Sequence, residues 1–145
     1  MKQGVFEESI YIQTSPERVL ALVSDYNQHH LIHPLIVKVE PAEAPPGVLK
    51  RYFITDQLQW GPLRFKIVYR ADILEIAPDR VHTQAYQSPA TTVDNLTRIT
   101  PEGSGTRLTE TITLRAPDLL FGYAFEQART AHHAMLERIK NCLEK

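Results

Sequence analysis

The chain has almost nothing from which to build covalent or metal staples. Cys142 is its only cysteine, so an intramolecular disulfide is excluded, and with it a cysteine-based metal cluster. Tryptophan is as scarce, with one residue, and glycine occurs six times. No glycine-rich phosphate loop, nucleophile elbow or paired-carboxylate motif is present. No stretch approaches the roughly 18 consecutive apolar residues of a membrane span, and the first eight residues hold no apolar signal core. An excess of one charge is also missing: 16 basic against 17 acidic side chains leave a formal charge of -1. That balance offers no global attraction to nucleic acid or to an anionic bilayer. These absences lead us to expect a cytoplasmic, reducing location, no nucleic-acid partner and no stable membrane insertion. Nothing in them forbids a homodimer.

What is present is the composition of an ordinary globular domain, 43% hydrophobic and 23% charged over 145 residues. A chain of that length buries about two-thirds of its unfolded surface, so it holds its own core and is expected to form a single domain over residues 1–145. Val5 to Gln13 reads as a first strand. Ser15-Pro16-Glu17 then carries a helix-start signature, with a capping hydroxyl, proline at the first helical position and an acid in the first turn. A short amphipathic helix follows, and a second one runs to Leu31 ahead of Pro34. From there the chain is β-rich in six segments, 35–40, 47–59, 62–75, 80–87, 91–100 and 106–115, punctuated by Pro, Gly, Asp and Ser turns. Short connections make antiparallel neighbours, and no helix interrupts the series.

From Pro117 the pattern is helical. Phe121, Phe125, Ala128, His132, Met135, Ile139 and Cys142 form one stripe, in which Cys142 is read as a half-buried packing residue. A helix of about 25 residues is about 37 Å long and is the only large apolar surface able to cover the sheet. The fold class is therefore α+β: a curved seven-stranded antiparallel sheet around a long C-terminal helix. One helix does not fill a wide concave sheet, so a cavity between them is expected.

Several residues also resemble a known group. Glu8-Ser9-Ile10-Tyr11-Ile12, Ser15-Pro16-Glu17-Arg18-Val19, Asp25-Tyr26 and Pro34 look like the opening of the START-like superfamily. Gly105-Thr106-Arg107-Leu108-Thr109 and the long terminal helix are similar to its close. This superfamily, also called SRPBCC or Bet v 1-like, includes the polyketide cyclase/dehydrase and lipid-transport proteins. The Asp25-Tyr26 pair is also similar to the coenzyme Q-binding members. The resemblance implies a helix-grip fold with a deep cavity for lipids, sterols, polyketides or quinones. It brings no universal catalytic set.

Strand alternation assigns the cavity face. On 62–75 the inner set includes Phe65, Ile67 and Tyr69; on 91–100 it includes Val93, Asn95 and Thr97; on 106–115 it includes Leu108, Glu110 and Ile112. Segment 47–59 has no clear face. The helix adds Phe125, Ala128 and His132. These residues are the candidate ligand contacts, and Glu110 and His132 are the candidate catalytic pair, each an ionisable group inside an apolar pattern. Tyr26, Tyr52, Trp60, Tyr69 and Tyr86 are further aromatic candidates for a pocket wall. His29 and His33 sit at i and i+4, but a third protein ligand is missing and Pro34 ends the helix. We therefore read them, with His30, as a solvated or rim cluster and call no metal. Arg64, Lys66 and Arg70 share the outer face of one strand, the signature of a solvated surface.

No cofactor is called for. The leading expectation is a binding or carrier domain for a hydrophobic small molecule. The alternatives are a cyclase or dehydratase using acid–base groups in the same cavity, and a protein-interaction module. Fold alone does not choose among them.

Overall fold

A computed structural model describes all residues 1–145. Seven strands form one antiparallel sheet in the order β1-β7-β6-β5-β4-β3-β2. Their ranges are β1 Lys2–Ile12, β2 Ile36–Ala42, β3 Lys50–Trp60, β4 Leu63–Ala77, β5 Arg80–Gln87, β6 Thr91–Glu102 and β7 Gly105–Ala116. Helix α1 spans Pro16–Val23 and α2 spans Asp118–Leu143. The run β2 to β7 is a meander, with tight turns at every connection after the longer 43–49 loop between β2 and β3. Gly61 (φ 60°) and Gly103 (φ 57°) supply the left-handed backbone that the β3–β4 and β6–β7 turns demand. Register shifts at Ile36/Lys38 and Ile73/Glu75 bend the sheet locally.

The helix signals hold in detail. Ser15 caps α1 by accepting from the Arg18 amide, with Pro16 directly behind it. The second short helix is a 3-10 helix, Tyr26–Leu31, capped by Asp25 accepting from the Asn27 amide at 3.1 Å. The first strand begins at Lys2 rather than Val5, because its register with β7 continues to the Lys2–Ala116 pair.

The core is one cluster against the C-terminal half of α2. Ile12, Val19, Ile73, Ile99, Leu108 and Ile139 are essentially inaccessible and meet Met135, Leu136 and Leu143. Cys142 is exposed, contrary to the expected stripe. A four-three spacing has a period of 3.5 residues, and a straight helix drifts about 20° per seven residues against it. Three such repeats from Phe121 carry the seam past Cys142 and on to Leu143.

That end of α2 is also pinned by polar contacts. Lys140 Nζ donates to the Tyr11 carbonyl at 2.7 Å, and the Gln13 amide donates to Glu144 Oε2 at 2.8 Å. Buried Gly105, where β7 begins, lies under the same corner. A Cβ there would stand 2.5 Å from the Ile12 carbonyl oxygen and 2.6 Å from Tyr11 Cζ. Gly105→Ala is expected to destabilise the protein by about 1–3 kcal/mol through overpacking, read as a lower denaturant midpoint. A change under about 0.5 kcal/mol would mean that the β1–β7 corner spreads freely.

Candidate functional site

The concave face divides into a closed half and an open half. Beneath the C-terminal half of α2 the side chains interlock, and the enclosed space is about 20 Å³. Tyr26, Thr83, Asn95, Thr97, Leu108 and Glu110 contribute to its lining. That is room for about one water. The deep enclosed cavity expected from the sequence is not present at this end, because Met135, Ile139 and Val81 fill it. Beneath the N-terminal half of α2 the pattern differs. Inner-face positions Phe6, Phe65, Ile67, Tyr69 and Val93 are only half-buried, as are Phe125 and Ala128 on the helix. These side chains point at the concave face yet keep partial access to solvent, so this half is packed less tightly than the other, and this looser strip is called the groove below.

The two ionisable candidates meet at the junction of these halves. Glu110 pairs with Thr97 on β6 and Glu8 on β1, and is 2% exposed. Asn95 Nδ2 donates to its Oε2 at 2.8 Å, and His132 Nδ1 lies 3.3 Å from its Oε1. Burial alone would depress the His132 pKa. The charge of Glu110 and its hydrogen bond, helped by Glu8 and Asp56, outweigh that and hold it above the ordinary value. The imidazole is edge-on to Phe6 (6.2 Å between centroids) and to His33 (5.9 Å). A carboxylate braced by an amide and an imidazole beside an apolar groove is able to orient a polar ligand atom or exchange a proton with it.

The remaining candidates separate cleanly. Phe65, Ile67, Tyr69, Val93, Phe125, Ala128 and His132 lie along the groove, while Asn95, Thr97 and Leu108 border the small closed cavity. Ile112 is fully enclosed, between Phe6 and Asn95 in register. Among the aromatics, Tyr26 and Tyr52 stack at 5.4 Å in the core. Trp60 is 66% exposed and stands at the rim against Tyr123, and Tyr86 is on the outer face beneath the Arg70 guanidinium.

Of the two alternatives for the histidines, a solvated cluster holds only for His30, whereas His29 lines the closed cavity and His33 packs against His132. His29 is buried, with its Nε2 donating to the Val23 carbonyl at 2.9 Å, and burial pushes its pKa down to about 4. His33 accepts from the Leu35 amide through Nδ1, and burial reinforced by His132 lowers its pKa to about 3. Both imidazoles are committed to backbone partners, so the i, i+4 pair is not a chelate.

Sequence reasoning missed Asp56. The β3 residues that face inward are Tyr52, Ile54, Asp56 and Leu58, all buried. Tyr69 Oη donates to Asp56 Oδ1 at 3.3 Å, and burial raises the carboxyl pKa to about 6. The signal was available: Asp56 continues the i, i+2 series Tyr52, Ile54 and Leu58.

Comparison with known proteins agrees with this architecture. The family model described as polyketide cyclase/dehydrase and lipid transport matches residues 3–144. No curated protein matches the chain. Among solved structures, the di-domain ARO/CYC protein BexL from the BE-7585A biosynthetic pathway superposes with a TM-score of 0.77 at 16% identity, covering 99% of this chain. The match spans 50% of BexL. A protein from Chromobacterium violaceum gives 0.72 at 17% identity over 97% of this chain and 98% of its own. Ara h 8.0201 gives 0.66 at 14% identity over 95% and 98%. At such identities the likeness is one of fold, whereas the family match runs almost from end to end: the chain belongs to the polyketide cyclase/dehydrase and lipid transport family.

Proposed function

We propose that the protein binds a small, mostly apolar molecule in the groove beneath the N-terminal half of α2, with one polar end directed at Glu110 and His132. The observation that carries this reading is the placement of a fully buried carboxylate at the inner end of a half-open apolar surface. A groove of this kind draws its affinity from apolar burial, about 0.8 kcal/mol per methylene removed from water, while a few polar groups fix orientation. The membership of a family described by both cyclase/dehydrase and lipid-transport members supports a small-molecule role.

A second reading, acid–base catalysis on the bound molecule, is favoured by the 3.3 Å Glu110–His132 contact and the raised His132 pKa. One substitution separates the two. Glu110→Gln keeps the shape and the Asn95 partner but removes the charge that holds His132 up. The His132 pKa, followed by NMR, is expected to fall below its wild-type value. For a carrier, affinity for a co-purified ligand identified by native mass spectrometry is expected to stay within a few-fold. For an enzyme, binding persists while turnover of that ligand is lost by about 100-fold or more. A loss of affinity above about 100-fold would overturn burial as the source of binding.

A further inference from the structure

The groove has a second polar wall that the Glu110–His132 pair does not explain. Asp56 is 6% exposed, and its flanking inner neighbours on β3 are Ile54 and Leu58. It caps no helix, closes no turn and has no basic side chain within ion-pair distance. Arg51 on β3 and Arg70 on β4 turn to the outer face and pair with Asp72. Its single side-chain partner is the Tyr69 hydroxyl, and the other carboxyl oxygen, Oδ2, has none within the protein.

A buried carboxyl without a cation is costly, and a leucine at this position would pack between the same neighbours at no such cost. Burial raises its pKa to about 6, so the group meets a ligand hydroxyl either as an accepting carboxylate or as a donating acid. The titratable groups facing Asp56 are Tyr69 from β4 and His132 from α2, while β2 presents Ile36 in register. His132 thus feels Asp56 from one side of the groove and Glu110 from the other. Four strand-to-strand steps separate β3 from β7, a path of about 19 Å along the sheet that its curl shortens.

We propose that Asp56, braced by the Tyr69 hydroxyl, forms a second polar subsite whose free Oδ2 hydrogen-bonds a hydroxyl of the ligand, so that the ligand is an apolar molecule with oxygen functions at two separated positions. This rests on the groove being the binding site. Tyr69 and Ile67 border the subsite, and Ala85 and Val93, in register on β5 and β6, lie on the sheet between it and the Asn95–Glu110 pair, so the intervening surface is largely apolar. A site that hydrogen-bonds an oxygen function discriminates strongly against the analogue that lacks it, since its own buried polar groups are then left unpaired.

The test uses three rigid fluorescent probes, naphthalene, 2-naphthol and 2,6-dihydroxynaphthalene, titrated into the full chain at pH 5.5. The wild type is expected to bind the diol at least tenfold more tightly than the mono-ol. Tyr69→Phe and Asp56→Leu are each expected to reduce that ratio to below about threefold, with naphthalene affinity unchanged within about threefold. Asp56→Asn, which keeps a neutral donor, is expected to retain the ratio. Asp56→Leu is also expected to raise the denaturant midpoint at pH 8, which separates a lost ligand contact from a lost fold. An unchanged diol ratio in both Tyr69→Phe and Asp56→Leu would overturn the subsite while leaving the groove intact. Failure of all three probes to bind the wild type would overturn the groove reading and the subsite with it.

Discussion

Between pH 7.5 and pH 4 the fold is expected to lose about 3–4 kcal/mol of stability, measured as a falling urea midpoint. His29 and His33 drive the loss. In the unfolded chain both imidazoles take up a proton near pH 6.5, whereas in the fold they do so only near 4 and 3. Within that window the unfolded state binds more protons, so stability declines as pH falls. Their contribution is complete above pH 6.5. A tenfold change in proton affinity corresponds to about 1.4 kcal/mol, so His29 alone represents about 3 kcal/mol. Tyr26 stacks on His29 at 4.1 Å, and the attraction of Glu110 and Asp25 does not offset its burial. His33 faces His132, His29 and Arg138, all of which disfavour a second positive charge. Asp56 acts with the opposite sign. Its folded pKa of about 6 lies above the ordinary 3.8, so its protonation returns stability as pH falls through 6. His132, also raised, works in that same direction. The two depressed histidines outweigh them. His33→Leu is expected to flatten the profile, and a wild-type midpoint that stays constant from pH 7.5 to 4 would refute the account.

Leu108→Ala is expected to cost about 3–5 kcal/mol, the upper part of the range for a buried leucine. Leu108 is wholly inaccessible on β7, with Ile10 and Ile99 beside it in register. Met135 and Ile139 of α2 pack with it around the 20 Å³ cavity. Hydrogen-bond ladders on both sides hold the strand in place, so the sheet has little freedom to collapse into the void. The truncated side chain enlarges a cavity that already exists. Val5→Ala on the exposed side of β1 provides the control and should stay within about 0.5 kcal/mol. A loss below about 1 kcal/mol for Leu108→Ala would show that α2 settles onto the sheet.

The inner faces of β4, β6 and β7 were legible because each strand alternates apolar and polar residues with few exceptions. Glu110 came inward with Leu108 and Ile112, and its partner His132 was found by helical spacing alone. On β3 the same method stalled, because an inward Asp56 and an outward, 43% exposed Phe53 blur the two faces. The polar residue that matters most there is the one that hides the burial pattern. The burial of His29 and His33 was hidden for a different reason. His29 lies in a 3-10 helix that ends at Leu31 and His33 in the turn beyond it, so no single helical period assigns either side chain to a face. The small size of the closed cavity was not readable either, since it depends on how Met135, Ile139 and Val81 interdigitate.

The unequal anchoring of α2 has a consequence for exchange with solvent. Its last turns are bolted to β1 by Lys140 and Glu144 and sealed by core side chains, whereas its first half rests on half-buried aromatics. At its other end α2 follows β7 after Pro117 alone, and Asp118 is paired with the Met1 ammonium at 2.8 Å, so the loosest stretch lies between the two ends. Motions of that stretch break few fully buried contacts and belong to the low-energy, sub-global openings of a folded protein. For the proposed binding role, such motions would admit a guest under the helix while the cluster of Ile12, Leu108 and Ile139 stays shut, so that exchange is uncoupled from unfolding.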